Sequence, residues 1–182
     1  MDFRLRPAQA QDAAGLAAVH VQSWKETYAG LLPEGFLGRM TNDTMRLRRE
    51  QLWSNLVLDS SRITYVVSHA DTVVGFVNAG AMREHLQAST EQDKPYDAEI
   101  NAIYLLRSAQ GSGLGRALFL AASDKLRARG FKSMALWVLK GNPTCAFYRH
   151  MGGEQDGEKR VAIPEGELLE LRFGWRDLKF LT

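Results

Sequence analysis

Apolar positions change their period several times along the chain, and each change marks a predicted element. Phe3, Leu5 and Pro7 alternate with charged residues, the pattern of a half-buried strand that stops at the proline. From about 12 to 28, Leu16, Val19, His20, Ser23, Trp24 and Tyr28 recur at helical spacing, with Asp12 as the expected N-cap and Gly30 as the stop. After a turn at Leu31-Leu32-Pro33-Glu34-Gly35, residues 34–58 read as one short and one longer helix, the second capped near Asn42 or Asp43. Ile63–Val67 and Val73–Val77 are β-rich runs joined by a polar turn, hence a hairpin. Residues 82–96 are polar and weakly periodic and predict a long loop, of the kind that is more often functional than filler.

The second half returns to alternating strands and helices. A strand over 98–106 leads through a glycine-dense turn into a helix over 113–129, which closes with Arg127, Arg129 and Gly130. Met134–Leu139 is a fully apolar run of strand length. Asn142-Pro143 opens a short helix over 143–151 that ends at Gly152-Gly153. Two strands, about 154–163 and 167–175, turn at Pro164-Glu165-Gly166. This order, with a β-α-β unit at its centre, predicts an α/β (mixed α+β) fold: a twisted sheet of about seven strands, parallel and antiparallel, with helices on both faces. The 182 residues suit one domain over 1–182, and 45% hydrophobic content suits a full-sized core.

Charge and cysteine usage narrow the setting. Twenty-three Lys+Arg against 21 Asp+Glu leave +2, too little to make nucleic acid or an anionic membrane the principal partner, although short basic clusters such as Arg46-Leu47-Arg48-Arg49 occur. The single cysteine, Cys145, excludes an internal disulfide and a multi-cysteine metal site. Without a signal-like start or an apolar run of about 18 residues, the expectation is a soluble, cytoplasmic protein.

The turn Gln110-Gly111-Ser112-Gly113-Leu114-Gly115 carries the candidate chemistry. A strand entering a helix through such a turn leaves backbone N–H groups unpaired at the positive end of the helix dipole, a place that binds phosphate. Spacing decides which kind. The Gly-x-x-x-x-Gly-Lys-Ser/Thr of a P-loop is absent, and a Gly-x-Gly-x-x-Gly dinucleotide fingerprint begun at Gly111 puts Arg116 where the third glycine should stand. What fits is Gln-x-x-Gly-x-Gly, as Gln110, Gly113 and Gly115.

With that spacing the chain resembles the GNAT superfamily of N-acetyltransferases. Glu99 lies eleven residues before Gln110, where the histone-acetylating members carry their general base. Asn142 followed by Phe147-Tyr148 and then Gly152 is similar to the family's other signature, and Ser23-Trp24-Lys25-Glu26-Thr27-Tyr28 through Pro33 is similar to the first-helix region of many bacterial members. Two positions depart from the pattern: Arg107 stands where proline is frequent, and Ser112 where a basic residue is common.

The resemblance implies acetyl-CoA as cosubstrate, its pyrophosphate on the N–H groups of Gln110, Gly111, Ser112, Gly113, Leu114 and Gly115 at the head of the helix that carries Arg116. It implies a pantetheine arm laid along the strand where it splays from 134–139, with the backbone of Ile103 and Leu105 at the thioester end and Asn142 on the arm or steadying its helix. An amine with a pKa near 10.4 is a free base in only about one molecule in a few thousand at pH 7, so a base is useful. Glu99, on the same strand face as Ile103 and Leu105 by even spacing, is the candidate, with Tyr148 as the acid toward the thiolate. Trp24 and Tyr28 are candidates for the acceptor site. The expected acceptor is a primary amine of a small molecule, peptide or protein, with no metal, and a homodimer is admitted by the habit of many relatives. His20 and His85 are alternative bases, each more readily read as structural. Cys145 and His150, five residues apart on a helix, point in different directions. Two other readings compete: a non-catalytic acyl-CoA-binding or sensing module, and a nucleotide-binding protein.

Overall fold

The computed structural model describes residues 2–83 and 96–181. Among these residues seven strands form one sheet in the order β1-β2-β3-β4-β5-β7-β6: β1 (Phe3–Pro7), β2 (Ile63–His69), β3 (Thr72–Ala81), β4 (Ala98–Leu105), β5 (Met134–Leu139), β6 (Glu154–Ile163) and β7 (Gly166–Trp175). The helices are α1 (Ala13–Tyr28), α2 (Glu34–Met40), α3 (Asp43–Leu58), α4 (Leu114–Ala128) and α5 (Thr144–His150). Among the described residues no helix is long and apolar enough to cross a membrane.

Side-chain alternation sorts the helices onto two faces. Val66 and Phe76 point to one face, where they pack with Leu16, Ala17 and Val19 of α1 and Trp53 of α3. Val67 and Val77 point to the other and meet Leu118, Phe119, Ala122 and Leu126 of α4 with Tyr148 of α5. Asn42 caps α3 as expected, its side chain accepting from the Met45 N–H. Asp12 does not cap α1. Its carboxylate instead accepts the Gln9 N–H across a 3-10 turn over 10–12 and pairs with Arg6 at 2.7 Å, which holds it below the usual carboxylate range. The short helix starts at Thr144 rather than Pro143, and the Asn142 side chain accepts the Thr144 N–H at 2.9 Å. The expected long loop over 82–96 lies, apart from its ends, outside the described residues.

Two irregularities shape the middle of the sheet. Strands β4 and β5 run parallel but pair only at Ala98↔Met134 and Glu99↔Ala135, then separate. The β3–β4 register also slips, from Ala79↔Ile100 to Asn78↔Ala102, so Asn101 is an extra residue on β4. That bulge reverses the alternation: Ala98, Ile100 and Ile103 pack on the α4 face, while Ala102, Tyr104 and Leu106 pack on the α1 face. The even-spacing expectation that put Glu99 on one face with Ile103 and Leu105 is therefore corrected. Counting twos along the strand fails when one residue is added between them.

Candidate active site

The gap left where β4 and β5 separate is a cleft of about 520 Å³. Ile100–Leu105 of β4 and Leu136–Val138 of β5 form its sides, the loop and first turn of α4 one end, Asn142–Thr144 with Phe147 and Tyr148 of α5 another wall, and Ser23, Thr27 and Tyr28 of α1 the last. Backbone direction decides what β4 offers it. The Leu106 N–H donates to the Val74 carbonyl at 2.9 Å, so alternate residues 102 and 104 also turn their backbone groups toward β3, and Ile103 and Leu105 turn theirs into the gap. The Leu105 carbonyl there accepts from Gln110 Nε2 at 3.0 Å, tying the loop to the strand end.

The loop reaches α4 through Gly111 at φ +74° and Gly113 at φ +80°, the latter being the N-cap. A Cβ at either would meet nothing within 4 Å, so what requires glycine in the described chain is the left-handed backbone and not crowding. Gly115 differs: a Cβ there would make ordinary contact with the Phe147 ring at 3.9 Å. Ser112 uses its hydroxyl internally, donating to the Ala109 carbonyl at 2.6 Å. Because Gly113 provides no side-chain cap, the first N–H groups of α4 keep their donor capacity for an anion. Gln110, Gly111, Gly113, Gly115 and Arg116 line the cleft, whereas Ser112 and Leu114 sit at its end without lining it.

Tyr148 is buried and lines the cleft, and burial, with Tyr104 and Cys145 nearby, pushes its hydroxyl well above the ordinary tyrosine value. Asn142 is buried beside it, its Oδ1 spent on the helix start. Glu99 is 1% exposed and pairs with Arg83 and with the side-chain amide of Asn101. It does not line the cleft, but Asn101 does. Cys145 is buried and His150 exposed, so the two do not meet.

The α1 wall is aromatic. Tyr28 lines the cleft, and burial raises its hydroxyl far above the usual range. Trp24 stands behind that surface: it packs edge-on to Tyr28 at 5.1 Å and donates its indole N–H to the Tyr104 hydroxyl at 2.9 Å. His20 stacks on Tyr104 at 4.8 Å and does not line the cleft; burial, with Arg49 adding to it, pushes its pKa down to about 3. His85 lies outside the described residues. Asn101, Tyr104 and Trp137 are cleft residues that sequence spacing did not single out. A bulge and a strand separation bring them there, and neither leaves a mark in apolar periodicity.

The chain matches known proteins in the same terms. A model of the acetyltransferase (GNAT) family matches residues 23–152. The uncharacterized N-acetyltransferase YuaI of Bacillus subtilis is 32% identical over 177 residues, covering 97% of this chain and 95% of that protein. The spermidine N(1)-acetyltransferase of Thermoplasma acidophilum is 24% identical over 145 residues, 78% of this chain and 81% of its own. Among solved structures, the PaiA N-acetyltransferase of Thermoplasma acidophilum in complex with coenzyme A shares the fold with a TM-score of 0.69 at 18% identity, covering 96% of this chain and all of that one. An N-acetyltransferase from Staphylococcus aureus Mu50 does so with a TM-score of 0.71 at 16% identity, over 98% of this chain and 99% of that one. With the family model matching well over half its length, the chain belongs to the acetyltransferase (GNAT) family and is an acetyl-CoA-dependent N-acetyltransferase.

Proposed function

We propose that the chain transfers the acetyl group directly, in a ternary complex, to a primary amine of a small molecule or peptide, with Glu99 as base and Tyr148 as acid. The observation that carries this reading is the cleft itself: Ile103, Tyr148 and the glycine-led start of α4 line one cavity. Acetyl-CoA fits its chemistry. Unpaired N–H groups at α4 suit the pyrophosphate, with Arg116 alongside, and the free β4 edge suits an amide-bearing arm added as a strand. The residues of that cradle are Gln110, Gly111, Ser112, Gly113, Leu114, Gly115 and Arg116, with Ile103, Leu105 and Asn142 along the arm.

The amine nitrogen attacks the thioester carbonyl carbon, and the C–S bond breaks as the new C–N bond is completed. An N–H of Ile103 directed at the thioester oxygen stabilises the developing charge, a role worth roughly 3 kcal/mol. The amine's proton leaves toward Glu99 by way of water beside Asn101, since Glu99 is one residue removed from the cleft surface. Tyr148 stays protonated at neutral pH, as burial dictates, and so has a proton to give the departing thiolate. Spermidine acetylation by one relative supports the amine class and leaves the particular acceptor open.

Acetylation of a panel of amines, followed by thiol release, tests the reading. Turnover with intersecting initial-rate lines supports direct transfer; parallel lines with an isolable acetyl-enzyme sink it. Glu99→Gln is expected to lower kcat about 10²- to 10⁴-fold and to move the pH profile, with acetyl-CoA binding retained. Acetyl-CoA binding without turnover of any amine leaves only a binding module.

A further inference from the structure

Among the described residues, four buried polar atoms without a hydrogen-bond partner lie in and behind the α1 wall of the cleft: His20 Nδ1 and Ser23 Oγ on α1, Arg49 Nη1 and Trp53 Nε1 on α3. The His20 ring lies 5.9 Å from that of Trp53, and the Arg49 guanidinium sits 4.8 Å over the Trp24 ring. Guanidinium and indole can only donate, and a serine hydroxyl can, so the cluster has donors in excess of acceptors. It also carries a charge. Arg49 is 5% exposed, and among the described residues no ion pair includes it. The cation–π contact with Trp24 recovers only part of what its burial costs.

Among the described residues, the carboxylates around the cleft are engaged elsewhere. Glu99 holds Arg83, Glu170 holds Lys159 at 3.1 Å, and Glu26 accepts the Arg107 backbone N–H at 2.8 Å. Arg49 is therefore a buried cation with which no carboxylate among the described residues pairs. One aromatic layer, Trp24 hydrogen-bonded to Tyr104, separates it from the cleft, which Tyr104 lines. Through low-dielectric protein a charge at that depth is felt far more strongly than through water.

We propose that the acceptor carries an anionic group, a carboxylate or a phosphate, beside its amine, and that Arg49 selects it as a positioning residue from behind the Trp24–Tyr104 wall. This rests on the amine-acetylating reading above and gives it a substrate class. The same field opposes a polycation in this wall.

The test is steady-state acetylation of size-matched amines: a neutral one, its carboxylate and phosphate analogues, and spermidine. The expected result is a kcat/KM about tenfold or more higher for an anionic amine than for the neutral one. Arg49→Gln is expected to raise the KM of the anionic amine about tenfold more than that of the neutral one, with the acetyl-CoA KM unmoved and Arg49→Lys restoring most of the difference. The separate carboxylate and phosphate arms identify the group. Equal or better turnover of the neutral amine or spermidine overturns the inference while acetyl transfer stands, as does an Arg49→Gln loss shared equally by all amines. Failure of every amine removes this inference together with the function on which it rests.

Discussion

The Trp24 indole N–H donates to the Tyr104 hydroxyl at 2.9 Å across 80 residues of sequence, joining α1 to the inner strand of the cleft. Trp24→Phe keeps an aromatic ring but removes the indole donor from that hydroxyl. A loss of about 1 to 2 kcal/mol in urea unfolding is expected. Acetyl-CoA affinity, measured by calorimetry, should change little, since the α4 loop that would receive the donor is built without Trp24.

Gly113 and Gly115 are only two residues apart and should answer differently to alanine. At Gly113 the backbone is left-handed with open space around it, so Gly113→Ala costs about 1 to 2 kcal/mol of strain or forces the loop to relax. Acetyl-CoA binding is expected to weaken accordingly. Gly115→Ala has helical backbone and an ordinary contact with Phe147, so the fold should accept it. Any loss of affinity in that variant would then report a close approach of the ligand, and thermal unfolding without ligand separates the two effects.

Tyr148 lies at the junction of cleft and core, with Phe173 and Trp175 against its ring. Tyr148→Phe retains those contacts and removes only the hydroxyl. A fall in kcat of about 10²-fold or more, with little change in acetyl-CoA KM, is expected from rapid-quench or thiol-release assays. An unchanged kcat would remove Tyr148 from the proton path.

His20 gives the protein an acid-side liability. Its folded pKa of about 3 lies below the ordinary 6.5, so between those values the unfolded chain binds a proton that the folded chain does not. Stability is therefore whole above the unfolded value and falls as pH drops through that window, by up to about 1.4 kcal/mol per pH unit from this residue. His20→Phe, which keeps a ring against Tyr104 and Trp53, should flatten the dependence between about pH 4 and 6 in denaturant titrations. A slope equal to that of the unaltered protein would contradict the assignment.

Gly174 marks where β7 yields to a neighbour. A Cβ there would fall 1.8 Å from the Tyr96 hydroxyl, which donates to Asp156 at 2.6 Å. Gly174→Ala must therefore displace Tyr96 and break that bond, and a loss of about 2 to 4 kcal/mol is expected. Restoring most of the loss with Tyr96→Ala in the same chain would show that this contact is the cause.

The sequence by itself determined every strand and helix within a few residues, because apolar period and capping residues act over one turn or one strand. It also singled out the glycine loop proposed for the donor, since Gln110, Gly113 and Gly115 are close in sequence and need only a strand before them and a helix after. Tertiary structure alone decided which side chains share a face and a cavity. One extra residue at Asn101 sent Glu99 to the face opposite Ile103, and the separation of β4 from β5 after a two-residue pairing opened the cleft. Arg49 read as one charge in a basic cluster until the packing of α3 on α1 buried it behind Trp24. Periodicity records how often a chain meets a core; it does not record register slips, strand partings or which distant charge is left unpaired, because those depend on residues far apart in the sequence.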